Sequence, residues 1–242
     1  MPPAPKPRLA AGLLVLRSLT VLVGCLGLAW ALANVARADA TDEFRDAEAR
    51  LLQFETFNRS TAIRTLESAA ARESDPCDSR AQHVLMLLEI PLADAALRSG
   101  AVRGFDQRLG SLEARSRQTL ACAPRDSFVW LVLFGLETEH GMLDQHAFDL
   151  LAMSYDTSPN EAWIAIRRTT VAIPVVPYAP EPIQRKILDE FQNLVSHGYV
   201  EMTGRAYLNA SARSRALLQS RIDRLDSQSQ RTFADALQKL GS

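Results

Sequence analysis

No stretch of this sequence alternates apolar and polar residues with period two for long enough to demand a β-sheet. That absence points to an all-α chain. A glycine-rich phosphate loop, a Gly-x-Ser-x-Gly nucleophile elbow and paired-cysteine metal motifs are missing too, which removes the commonest signatures of nucleotide, acyl-transfer and structural-zinc chemistry. Lysine is scarce, three residues against 24 arginines. Such an excess of arginine suits bidentate recognition of carboxylates or phosphates, although genomic base composition produces the same bias. Without residues 1–40 the chain keeps 23 bases and 27 acids, a net charge of −4. No basic stripe is left to release counterions from a nucleic acid, so that class of partner is excluded. What remains is ordinary for a folded protein, 47% hydrophobic and 23% charged over 242 residues.

Long apolar runs are lacking except at the N-terminus. Lys6 and Arg8 precede one that Arg17-Ser18 interrupts, and Leu19 to Ala36 then gives eighteen residues without a charge. That length just reaches across a hydrocarbon core. Bases before the run and Asp39, Asp42 and Glu43 after it place the N-terminus in the cytoplasm and the bulk outside. Residues 1–40 are thus expected to be a signal anchor or a signal peptide. Ala36-Arg37-Ala38 and Ala38-Asp39-Ala40 both have the small-x-small pattern of a cleavage site. Leu22-Val23-Gly24-Cys25 resembles the lipobox of bacterial lipoproteins, but the residues after Cys25 stay apolar where a lipoprotein turns polar. The expected location is a bacterial inner membrane with residues 41–242 in the periplasm, or the periplasm itself if cleavage follows Ala38 or Ala40.

Cysteine is equally sparse. The exported part holds only Cys77 and Cys122, and an oxidising compartment invites a bridge between them. Asp75-Pro76-Cys77 precedes a helix near Arg80–Glu89, and Cys122-Ala123-Pro124 precedes one near Asp126–Glu139. In a stack of helix pairs the starts of corresponding helices lie side by side, which brings the two thiols together. Two free buried thiols are the alternative.

From Glu43 onward the apolar residues recur at three- and four-residue spacing. Pro91 is expected to stop a helix, and Gly100 and Gly104 to frame a loop. Pro174 to Pro182, with four prolines, cannot continue the helix before it and forms a stiff connector, a hinge or binding loop or simply a packed linker. Pro182 opens the clearest amphipathic helix, with Ile183, Ile187, Leu188, Phe191, Leu194 and Val195 in one stripe before His197-Gly198. Ser227 to Gln230 reads as a capping box for the last helix.

The stretch Pro124–Pro159 is an apolar helix, a turn at His140-Gly141, an amphipathic helix and a proline stop, and Trp163 falls 33 residues after Trp130. Phe134-Gly135, Ala147, Leu151, Ser154 and Pro159 resemble the spacing of tetratricopeptide-type repeats, with Trp130 and Leu131 near the family's opening aromatic; Ala62, Leu66 and Ala69 repeat the second-helix spacing. Thr138 stands where that family prefers tyrosine, and Leu92–Leu120 fits poorly. The resemblance implies a TPR-like stack of antiparallel helix pairs after the N-terminal helix. A weaker one, through Leu150–Tyr155, Pro159–Arg168 and Glu190–Val195, is to membrane-anchored helical-repeat proteins that accompany bacterial exopolysaccharide or O-antigen assembly.

Candidate chemistry is thin. Glu137, Glu139, His140, Asp144 and His146 crowd one turn, but without the fixed helical spacing of a metal site they read as a solvated turn. His83 and His197 stand alone as structural or surface residues. Trp130 and Trp163 either line a groove as binding anchors or fill the space between helices. Arg167 and Arg168 either meet an anionic group or form a solvated helix face. These four are the candidate partner-binding residues. Metal, cofactor and catalytic residues are not expected. The reading is a membrane-tethered scaffold for protein–protein interaction in the envelope, with an accessory factor or enzyme acting on exopolysaccharide or O-antigen as the alternative.

Overall fold

A computed structural model describes residues 7–52, 55, 57–71 and 74–241, except for the side chains of 7–15, 33–43 and 46. Among the described residues all regular structure is helical, so the chain is all-α. It divides into two compact units, Met1–Gln53 and Phe54–Ser242.

The first unit is a single helix, α1 (Pro7–Leu52). Its large apolar residues from Leu16 to Leu32, Trp30 included, are each more than half exposed. Among the described residues no helix is long and apolar enough to cross a membrane. The side chains of residues 33–36, part of the expected span, and those of both cleavage motifs lie outside what the structure describes.

The second unit begins with α2 (Arg59–Ala71), followed by α3 (Ser79–Arg98), α4 (Val102–Cys122), α5 (Ser127–Glu139) and α6 (Gln145–Thr157). Asp78, Asp126 and Asp144 cap α3, α5 and α6, each carboxylate accepting the backbone N–H three residues on. Short turns send α4 back along α3 and α6 back along α5. At Gly141 the φ of +73° lets Gly141 N–H donate to Thr138 O and Met142 N–H to Glu137 O, the paired bonds that close a helix end. Gly198, φ +85°, ends a later helix by the same pairing.

Pro91 does not stop α3. It lies inside the helix, because Leu88, Leu92, Ala93 and Ala96 bury one continuous face that holds the turn despite the missing N–H. Likewise Gly104 lies within α4, and only Gly100 belongs to the turn. Cys77 and Cys122 lie at disulfide distance, with sulfurs 2.01 Å and Cα atoms 5.3 Å apart, tying the approach to α3 to the last residue of α4.

Beyond α6 the order of packing changes. Here α7 (Ala162–Ala172) runs into a 3-10 helix (Ile173–Tyr178), then α8 (Glu181–Ser196), α9 (Val200–Asn209), α10 (Ala212–Ile222) and α11 (Ser227–Gly241). The proline-rich connector is a packed linker, since Ile173, Val175 and Val176 are buried. Consecutive helices pack together from α2 to α6, whereas α9 packs on α11 and α7, and α10 packs on α8 and the 3-10 helix. The six stripe residues of α8 are all buried in this second half. The cap of α11 is Asp226 rather than Ser227, its carboxylate accepting the N–H groups of Gln228 and Ser229.

Candidate partner-binding site

Trp163 enters at the second residue of α7, and Arg167 follows one helical turn later on the same face. The Arg167 guanidinium carbon lies 5.5 Å from the Trp163 ring centroid, a cation–π distance. Burial pushes Arg167 down to about 10, which leaves it charged at neutral pH. Behind the indole stand His83 of α3 and Phe128 of α5, with ring centroids 5.8 and 5.6 Å from it. Phe128 is buried, Trp163 half-buried. The indole N–H donates to Glu161 Oε2 at 3.1 Å, so the polar edge of the ring is fixed as well as its face.

His83 Nε2 sits 2.7 Å from Asp126 Oδ2, while Asp126 Oδ1 caps α5 by accepting from Val129 N–H at 3.2 Å. One carboxylate thus orients the imidazole and starts a helix. Together with the Cys77–Cys122 pair, it fixes the beginning of α3 against the α4–α5 joint. The result is an aromatic ledge, rigid from behind, that presents an indole and a guanidinium. Such a surface can stack on planar groups.

Arg168 does something else. Of the two expectations for it, the solvated face is corrected by its burial, 0% exposed on the face of α7 that carries Ile164, Ala165 and Ala172, and the anionic group it meets is internal. Its Nε donates to Glu190 Oε1 at 3.0 Å and its Nη2 to the same oxygen at 2.6 Å. Its Nη1 donates to Ser154 O at 2.8 Å and Nη2 also to Ser158 O at 3.0 Å. Those carbonyls are the orphan acceptors at the end of α6, where a cation is favoured. Tyr155 stacks on the guanidinium at 4.4 Å and donates its hydroxyl to Glu190 Oε2 at 3.2 Å. Burial pushes the Glu190 carboxyl up against the pull of Arg168, and burial with the Glu190 charge pushes the Tyr155 hydroxyl well up. This is an internal lock joining α6, α7 and α8, and it has no surface left to offer a partner.

Trp130 packs half-buried against the main core and donates its indole N–H to Pro124 O at 2.9 Å. It stands apart from the ledge as a packing residue that closes the α4–α5 joint. The turn holding Glu137, Glu139, His140, Asp144 and His146 gathers no metal-binding set, since among the described residues no three His, Cys, Asp or Glu side chains converge.

Sequence reasoning missed His83 and Asp126, which lie 43 residues apart and give no local signal. It also missed Glu190, although a signal existed. Glu190 falls three residues after Ile187 and four before Leu194, on the apolar stripe itself. No protein family, curated protein or solved structure matches the chain.

Proposed function

We propose that this protein is a non-catalytic, membrane-tethered helical scaffold of the bacterial envelope that engages a protein partner through the Trp163–Arg167 ledge. The observation that carries the reading is the ledge itself. Tryptophan and arginine are among the side chains most enriched in interface hot spots, and here Trp163 is held by Glu161, His83 and Phe128 before any partner arrives, with Arg167 at cation–π distance from it. A side chain already ordered loses less entropy on binding. Chain-order packing from α2 to α6 supports a TPR-like stack over that part. The exposed apolar side chains from Leu16 to Leu32 support the tether, because a bilayer removes them from water.

The test is a photoreactive amino acid at Thr170, exposed and three residues beyond Arg167, introduced into the full chain in living cells. One discrete crosslinked protein is expected, lost on Trp163→Ala with Arg167→Gln and not obtained from the same probe at Gln228. A product that survives the double substitution, or an identical pattern from both positions, refutes the ledge. Recovery of the full chain in the carbonate-soluble fraction refutes the tether.

A further inference from the structure

Three helices, α2, α3 and α4, enclose a pocket of about 270 Å³ lined by Ala69, Ser74, Gln82, Ala114, Arg115 and Gln118, among others. Of the described residues lining it, Arg115 alone is charged. The volume falls below the roughly 300–1,000 Å³ usual for drug-sized ligands, which selects something small.

Arg115 differs from the other two arginines of this unit that carry comparable geometry. Arg168 and Arg117 each turn the edge formed by Nε and Nη2 onto a carboxylate, Glu190 in one case and Glu113 in the other. In Arg115 the same edge makes no such contact. Its Nε is buried without a hydrogen-bond partner, and among the described residues its side chain is held by a single bond, from Nη1 to Gln82 Oε1 at 2.7 Å. Gln82 is itself braced by Nε2 donating to Asp75 O at 2.7 Å, so the guanidinium is positioned from one side, with Nε covered and Nη2 without a hydrogen bond among the described residues.

The neighbouring charge does not complete the pair. Glu89, 5% exposed, accepts from Ser111 Oγ at 3.1 Å and faces Arg108 Nη1 at 3.6 Å; Arg115 acts on it through its charge, with no hydrogen bond between them among the described residues. Arg115 thus stands as the one charged side chain of the described lining, with no carboxylate bonded to it among the described residues. A partly buried cation in that position gains from a monoanion more than from a neutral ligand. Ser74 and Gln118 add a hydroxyl-bearing and an amide-bearing residue to the lining.

We infer that the α2–α3–α4 pocket binds a small hydroxylated monocarboxylate, its carboxylate taken by Arg115 and its hydroxyls by Ser74 and Gln118. The covered Nε makes Nη2 the first contact, and a turn of the side chain brings the second donor to bear. The site is separate from the ledge, and its occupancy does not depend on the partner reading.

The experiment is a saturation-transfer NMR titration of the full chain with D-glycerate, with glycerol as the neutral counterpart. Glycerate is expected to bind saturably and glycerol not to compete. Arg115→Gln removes a charge-assisted bond and is expected to weaken glycerate by about tenfold or more. Arg117→Gln, on the same helix but paired at the surface, should change it by less than about twofold. Ala114→Leu fills the pocket while keeping its charge, and is expected to abolish binding even if Arg115→Gln fails to fold. Absence of glycerate binding, equal competition by glycerol, or retained affinity in Ala114→Leu overturns the inference.

Discussion

Replacing Arg168 by methionine tests the buried lock at its centre. The substitution keeps most of the apolar stem and removes every donor. Glu190 is then left buried beside the Tyr155 hydroxyl, and Ser154 O and Ser158 O lose the cation that ends α6. Breaking one partner out of a buried ion pair costs about 3–5 kcal/mol, and for a unit of this size each kcal/mol moves Tm by about 2–4 °C. The expected loss is therefore about 6–20 °C. The double variant Arg168→Met/Glu190→Leu removes the stranded carboxylate. It should lose less than the two single variants combined, with a coupling of about 2 kcal/mol from a urea denaturation cycle. The sign of the pH effect follows from Glu190. Its carboxyl already lies above its ordinary value, and it rises further without Arg168. A raised acid penalises the fold fully above its folded value, and the penalty lifts as pH falls from there toward the ordinary 4.5. The gap between Arg168→Met and wild type should narrow as pH drops from about 7 to about 5. Additivity within about 0.5 kcal/mol would refute the idea that these residues act as one unit.

Three further outcomes are expected. Reducing the Cys77–Cys122 pair, 45 residues apart in sequence, should cost up to about 4 kcal/mol in the chain-entropy account, read as a lower urea midpoint absent in a Cys77→Ser/Cys122→Ser variant. An unchanged midpoint argues against it. At Gly204 an added Cβ meets Leu240 Cδ1 at 2.9 Å and Leu237 Cδ2 at 3.5 Å. Alanine there is absorbed by the mobile end of Leu240, whereas Gly204→Ile should overpack the α9–α11 contact by about 1–3 kcal/mol. Limited proteolysis checks it, since α11 should be released faster. Hydrogen bonds from the Ser229 hydroxyl and the Ser229 and Gln228 N–H groups hold Asp226 below its ordinary 3.8. Its cap contributes above that value and is lost as pH falls through the lower folded one. Asp226→Ala should lower Tm at about pH 7 and match wild type near pH 2.

Much of the helical layout was legible because it is local. The stripe of α8 reads from spacing alone, and the glycine ends at Gly141 and Gly198 stand within a few residues of the bonds they make. Pro91 was misread for the complementary reason: the apolar face that carries the helix through it comes from tertiary packing, which no local rule weighs. Arg168 was the larger miss. Beside Arg167 it looked like one more surface charge, yet it falls four residues after Ile164 and four before Ala172, both buried. A charged residue on an apolar stripe announces a buried partner, and Glu190 on the stripe of α8 answers to it. The ledge was half legible. Trp163 and Arg167 were named from their neighbourhood, but His83 and Asp126 reach them only through the fold.

The crossed packing of the last helices sets a limit on how such a chain can grow or be shortened. A hairpin such as α3–α4 or α5–α6 packs mainly on the helices that precede and follow it in the chain. The end of the chain has no such unit to remove. Phe233 of α11 packs edge-on against both Phe191 of α8 and Tyr207 of α9, so cutting away the last helix opens the seats of two earlier ones. Truncation from that end is therefore expected to cost more stability than the burial of α11 alone.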